Sequence, residues 1–272
     1  MKTLFRYEVT ISIVIQEIKH RNIMRLDTLI RSKTGICGLD QMLGGGFLEG
    51  DNVLIAGPTG SGKTILGMEF IYRGAYLFDE PGLIISFEEL PEKLHRNAAS
   101  FGWDFKELEK LDFLRIICTS PSVFFEHIKM PENLFDKTIE KLRVKRVFID
   151  GLRAFELKFP NQTRLRKSLY CILNHFSQSL KTTTVFSYEI STLFRPSQTI
   201  SRSGVEFLTD CIITLTYLNI DASLGKGIMV LKMRGSDHDK HVRQLKIEKD
   251  GLIIRGALII DEMFLEPLTK AP

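Results

Sequence analysis

The sequence predicts an α/β fold, a twisted and mostly parallel sheet flanked by helices, with an antiparallel β extension following it toward the C-terminus. Three observations carry this expectation. Short apolar runs alternate with helical patterns from residue 52 to residue 218, and parallel strands require such crossovers. A glycine-rich turn, Gly57-Pro58-Thr59-Gly60-Ser61-Gly62-Lys63-Thr64, joins the first of these strands to the first helix. From about residue 227 onward, strand-like runs follow one another with no helix between them.

Taken in order, residues 52–56 read as a buried strand and 64–72 as an amphipathic helix, so the glycine turn has strand before it and helix behind it. Pro81-Gly82 punctuates the chain before a second strand at 83–87. Leu94, Ala98 and Phe101, spaced by four and three, mark a helix over 92–101. Runs at 114–118 and 144–150 read as further strands. In the long helix at 163–180, Leu165, Leu169, Ile172, Leu173, Phe176 and Leu180 keep the 3.6-residue period of a core-facing stripe. Residues 183–188 and 211–218 complete the parallel set, and 227–233, 242–247 and 252–254 form the antiparallel extension. Lys249-Asp250-Gly251 supplies the tight turn between its last two strands.

A chain of 272 residues, 44% hydrophobic and 26% charged, has the composition and length for one large globular core. Residues 34–265 read as that single domain, 1–33 as an N-terminal strand-helix appendage or partner-binding arm, and 266–272 as a short tail. The apolar run at 9–15 is bracketed by Glu8 and Glu17 and is too short for a membrane span, so no membrane association and a cytoplasmic location are expected. The four cysteines include no C-x-x-C pair, which argues against a zinc site or a disulfide framework. A net charge of +4 permits nucleic-acid binding without arguing for it.

The turn at 57–64 is a complete G-x-x-x-x-G-K-[ST] loop. Its glycines let backbone N–H groups curl around phosphates, and the helix N-terminus adds free donors and the positive end of its dipole. Thr59, Gly60, Ser61 and Gly62 line this cradle; Lys63 is placed to reach the β- and γ-phosphates and Thr64 to hold Mg²⁺. ATP and Mg²⁺ are therefore the expected ligands. Glu88 and Glu89 follow the strand 83–87 at its carboxyl end, where one of them can activate the water that attacks a γ-phosphate while its neighbour supports it. Asp150 ends an apolar strand, the position of an acid that holds the Mg²⁺ shell. Lys232 and Arg234 lie two apart on a strand and share a face, and Gly235 allows a turn that brings His238 back toward them.

The segment Thr34-Gly35-Ile36-Cys37-Gly38-Leu39-Asp40, followed by Leu43-Gly44-Gly45-Gly46, Gly50 and the phosphate loop, resembles the opening of the KaiC/RadA branch of RecA-like ATPases. Within that branch the chain is most similar to the KaiC family. Further segments match at Phe87-Glu88-Glu89, at 97–104, at Phe148-Ile149-Asp150, at 183–189 and at 232–238, so the resemblance covers about 34–255. It implies a RecA-like phosphate-loop fold, catalytic glutamates at Glu88 and Glu89, and a metal-site acid at Asp150. Ser100 falls at a nucleotide contact of the family. The resemblance also implies a homohexamer in which Lys232, Met233, Arg234, Ser236 and His238 contact the nucleotide held by the neighbouring subunit. Clock members of the family carry two such domains and this chain carries one. Their phosphorylated Ser-Thr pair falls at Glu206-Phe207, so autokinase activity is not expected.

The resulting expectation is an ATP-hydrolysing ring ATPase, a slow regulatory or signalling module with room for a protein signalling partner. Two other functions fit the same loop. A DNA-binding recombinase paralogue would use Phe194, Arg195 and Arg202 in the polar segment 194–203, a thin basic-aromatic signal. A nucleotide-gated scaffold would bind ATP to assemble and scarcely turn it over.

Overall fold

The structure, a computed structural model, describes residues 30–159, 161–190, 201, 204–220 and 223–258. Its centre is a nine-stranded sheet: β1 (Asn52–Gly57), β2 (Gly82–Ser86), β3 (Leu114–Cys118), β4 (Arg146–Asp150), β5 (Thr183–Glu189), β6 (Cys211–Ile220), β7 (Ser223–Met233), β8 (Arg243–Glu248) and β9 (Gly251–Ala257). The spatial order is β9-β8-β7-β6-β1-β5-β4-β2-β3. From β3 to β6 neighbouring strands run parallel. From β6 to β9 every pairing is antiparallel. The strand carrying the glycine-rich loop is central, as expected of a parallel sheet whose strands read as unbroken apolar runs.

Alternate residues of the strands face opposite sides, and the core divides accordingly. Val53, Ile55, Phe148, Val185 and Ile213 pack with the helix Lys63–Phe78 on one face. Leu54, Ile85, Val147, Ile149, Phe186 and Ile212 pack with the helix Gln162–Asn174 on the other. Gly67 lies mid-helix where a Cβ would overlap the Phe148 ring. The glycine costs the helix about 1 kcal/mol of propensity and lets it lie flat on β4. Arg146 starts β4 fully buried, paired to Glu80 at 2.6 Å, donating to the Phe70 carbonyl at 3.1 Å and lying 4.6 Å from the Phe70 ring centroid.

The opening motif has a structural explanation. The Asp40 carboxylate accepts from the Thr34 N–H at 2.7 Å, the Thr34 hydroxyl at 2.8 Å and the Gly35 N–H at 3.1 Å, which closes the turn and leaves Leu39, Met42 and Leu43 in the core. Farther along, Glu69 is a buried carboxylate on the helix Lys63–Phe78. It accepts from Leu252 N–H at 2.7 Å and pairs with Arg73 at 3.2 Å, tying the β8–β9 turn to that helix. Arg73 and the Trp103 indole both donate to the Asp250 carbonyl, at 3.1 and 3.4 Å.

Three features differ from the sequence expectation. The helix expected over 163–180 is α-helical only to Asn174; His175–Ser179 is a π-turn, with His175 Nε2 held 2.7 Å from Asp136. The strand expected to start at 227 starts at Ser223, because pairing with β6 imposes an extended backbone on residues of low strand propensity. Short helices at Phe105–Lys110, Pro121–His127 and Leu134–Leu142 fill the crossovers. Among the described residues no helix is long and apolar enough to cross a membrane. Residues 1–29, most of the segment 194–203 and the tail 266–272 lie outside the described residues.

Candidate functional site

The carboxyl ends of β1, β2, β4 and β5 converge. Gly57 registers with Glu189, and Ser86 with Asp150. At such an edge an open α/β sheet presents its loops to a ligand. The glycine-rich loop leaves β1 and re-enters as the helix beginning at Lys63. Gly62 adopts φ 110° as the residue preceding that helix, a conformation a β-carbon would strain. Lys63 Nζ donates to the Pro58 carbonyl at 2.9 Å. Burial lowers its pKa, opposed by the charges of Glu189, Asp150 and Glu88.

Thr64 donates its hydroxyl to both Asp150 oxygens, at 3.2 and 3.3 Å. Asp150 is 2% exposed and also accepts from Ser187 Oγ at 2.5 Å, while Ser187 Oγ itself accepts from the Gly151 N–H at 2.8 Å. Burial pushes the Asp150 carboxyl up to about 6; the Ser187 hydrogen bond opposes this and the Glu88 charge adds to it. A hydroxyl and a carboxylate held together are hard oxygen ligands of the kind Mg²⁺ takes. The charges of Glu88, Asp150 and Glu189 all act on Lys63, and with Arg153 beside Glu189 the carboxylates still outnumber the cations, so the donor set fits a divalent cation that balances their charge.

The two adjacent glutamates are not equivalent. Their backbone N–H groups both point at Ser86 Oγ, at 3.4 Å for Glu88 and 2.9 Å for Glu89. The Glu88 side chain then lies over the main chain of Gly151: a β-carbon there would sit 2.8–2.9 Å from its Cγ, Cδ and Oε1. Gly151, at φ 91°, leaves that space open beside Asp150. Glu89 turns the other way, pairing with Lys93 at 2.7 Å and accepting from Asn97 Nδ2 at 3.3 Å. Ser100, exposed, caps the end of the helix Pro91–Ala99 that carries Lys93 and Asn97, its hydroxyl donating to the Asn97 carbonyl at 2.6 Å.

The second set of candidates is elsewhere. Val53 registers with Cys211, and Cys211 with Met233. Met233 is therefore level with the start of β1, roughly 13 Å along the strands from Gly57 and about 10 Å across them. Lys232 Nζ donates to the carbonyls of Glu206 and Thr209, at 3.0 and 2.5 Å. Arg234 bonds the Phe207 carbonyl at 2.8 Å and Asp210 at 3.3 Å. The Met233 side chain packs in the core, leaving its backbone as the part a ligand could meet. Ser236 donates to the Asp237 carbonyl at 3.0 Å, and His238 Nδ1 is buried without a partner among the described residues. Within one chain, Lys232 and Arg234 are thus held to residues 206–210, at the opposite end of the strands from the glycine-rich loop.

Residues that sequence reasoning did not single out also belong to the site. Glu189 registers with Gly57 at the end of β5 and lies 3.5 Å from Arg153. Ser187 and Gly151 shape the surroundings of Asp150 and Glu88. Tyr217 and Lys226 reach the loop from β6 and β7. An acid ending β5 was visible as part of a matched segment, but its chemistry was not.

Comparison with known proteins identifies the family and the fold. The family described as "ATPase: KaiC" matches residues 32–258. The circadian clock oscillator protein KaiC of Thermostichus vulcanus is 32% identical over 259 residues, covering 94% of this chain and 48% of that protein. The Nostoc protein of the same name is 34% identical over 224 residues, covering 82% of this chain and 42% of its own length. The chain thus spans about half the length of the curated relatives it matches. The crystal structure of a KaiC-like protein from Pyrococcus horikoshii OT3 superposes with a TM-score of 0.72 at 30% identity, over 84% of this chain and 100% of that one.

Proposed function

The chain belongs to the KaiC family of ATPases, and on that premise we propose that it binds ATP with Mg²⁺ and hydrolyses it as a slow regulatory or signalling module. The proposed assembly is a cytoplasmic homohexameric ring whose sites lie between neighbouring copies. The observation that carries the reading is the convergence of Lys63, the Thr64–Asp150 pair and Glu88 at one edge of the sheet.

In this reading the N–H groups of residues 59–64 cradle the phosphates, and the Lys63 ammonium leaves the Pro58 carbonyl for the β- and γ-oxygens. Thr64 and Asp150 would hold Mg²⁺, which supplies charge neutralisation on the phosphate oxygens. Glu88 takes a proton from the water that attacks the γ-phosphorus, and the bridging oxygen leaves with ADP. Glu89 stays with Lys93 and Asn97 and fixes the turn that presents Glu88. Ser100 contributes a nucleotide contact from the same chain. Lys232, Arg234 and His238, with Met233 and Ser236 beside them, act on the neighbour's nucleotide, because their own loop is out of reach. Changing Glu88 and Glu89 together to Gln should leave ATP binding intact and abolish phosphate release. Unchanged release from the double variant would sink this assignment.

A further inference from the structure

The phosphate loop is held from outside by a pair of side chains that the catalytic reading does not use. β6 pairs with β1 only as far as Thr214, whereas the β6–β7 hairpin continues past the end of the parallel sheet to Ile220 and Ser223. On this projecting arm Tyr217 and Lys226 stand directly opposite each other. Tyr217 Oη donates to the Thr59 carbonyl at 3.0 Å. Lys226 Nζ donates to the Gly60 carbonyl at 2.5 Å and lies 4.7 Å from the centroid of the Tyr217 ring. The fit is close: a β-carbon at Gly60 would sit 2.8 Å from Tyr217 Oη.

The geometry points to Tyr217 and Lys226 as positioning residues that preset the glycine-rich loop for phosphate. The reason is peptide planarity. The C=O of one residue and the N–H of the next point in opposite directions across a rigid trans unit. Drawing the carbonyls of Thr59 and Gly60 outward toward the hairpin turns the N–H groups of Gly60 and Ser61 away from it, and the Ser61 N–H donates within the loop to the Pro58 carbonyl at 3.2 Å, the same oxygen that holds Lys63 Nζ. Thr59 and Gly60 are exposed, and residues of a free glycine-rich turn sample many orientations, so an ordered cradle must be held from elsewhere. The Lys226 ammonium lies over the Tyr217 ring and is attracted by its electron-rich face, which keeps both donors on their carbonyls as one unit. This inference rests on the nucleotide reading above and assigns that reading two further residues, neither of which touches the reacting atoms.

The test uses the full chain as wild type, Y217F, K226M, K226R and the double variant Y217F/K226M. MgADP affinity is measured by calorimetry, and amide exchange over residues 57–64 is followed in nucleotide-free protein. Loss of one such hydrogen bond should weaken MgADP about fivefold, and loss of the charged one about tenfold. The KM for ATP should rise in step with kcat unchanged, since the loop holds ground state and transition state alike. Exchange of the loop amides should speed up in Y217F and K226M while the apo unfolding midpoint stays put, and K226R should restore both affinity and protection. Wild-type affinity and wild-type loop exchange in both Y217F and K226M would overturn the inference while leaving the nucleotide reading standing. Absence of MgADP binding by the wild type would overturn both.

Discussion

Glu69 offers a prediction that depends on the fold and on no assumption about activity. Its carboxylate is buried between the helix Lys63–Phe78 and β9, and burial raises its pKa from 4.5 to about 7 against the opposing pull of the Leu252 N–H and Arg73. The folded chain therefore holds this proton more tightly than the unfolded chain. The stabilisation is complete below pH 4.5, declines as the pH climbs toward 7, and is gone above it. A displacement of that size corresponds to about 3 kcal/mol. Glu69→Gln keeps an oxygen for the Leu252 N–H but cannot titrate. Subtracting its urea-unfolding free energy from that of the wild type, pH by pH, isolates the carboxyl from every other group. Trp103, the chain's one tryptophan, donates its indole N–H to Asp250 beside this anchor and serves as the fluorescence probe. The wild-type advantage should shrink by about 3 kcal/mol between pH 4.5 and 8. A difference that stays flat across that range would refute the argument, because Arg73 would then be compensating fully for burial.

Two further outcomes follow from side-chain placement. In single-turnover phosphate release, Glu88→Gln should lose at least about a hundredfold, the usual contribution of a general base. Glu89→Gln should lose less than about tenfold, because its partly exposed pair with Lys93 is worth about 1 kcal/mol or less; the reverse ranking would reassign the base. Gly67→Ala should destabilise the fold by about 1–3 kcal/mol despite the better helix propensity of alanine, since its methyl would overlap Phe148. A raised melting temperature would show that the helix can shift outward freely.

What could be read from the sequence divides along a physical line. The parallel strands were visible because burial on both faces makes them unbroken apolar runs, as in residues 52–56 and 146–150. The glycine-rich loop, Glu88, Glu89 and Asp150 were visible because local chemistry places them at strand ends. The short helices at 121–127 and 134–142 announce themselves only through caps, Ser120 before Pro121 and Asn133 before Leu134, whose side chains accept from the Val123, Phe135 and Asp136 N–H groups. Their apolar stripes are too short to establish a period. Gly151 acquires meaning only when Glu88 is seen lying across it. Tyr217 reaches a carbonyl 158 residues away, and no local pattern can report a contact that the sheet order creates. Which of the two glutamates lies beside Asp150 is likewise a matter of side-chain direction, not of residue type.

The separation between Lys63 and Arg234 leads to the sharpest test of a shared site. The glycine-rich loop lies at one end of the sheet, while Lys232 and Arg234 are fixed at the other end to the carbonyls of residues 206–209. That anchoring holds both cations against a single short segment, so the group would present itself to a neighbour as one body. If a ring places it over the adjacent loop, the contact is heterologous, and each interface draws its two halves from different copies. Lys63→Ala and Arg234→Ala should each hydrolyse ATP poorly alone, the first for want of a phosphate grip and the second for want of charge opposite the γ-phosphate. In an equal mixture assembled at random, about a quarter of interfaces pair an intact loop with an intact arginine. Activity should then recover toward about a quarter of the wild-type rate and saturate there, a ceiling that neither a monomeric enzyme nor contamination by wild type would impose. A mixture no more active than its components, under conditions where native mass measurement shows mixed assemblies, would overturn the shared site and require both groups to act within one chain.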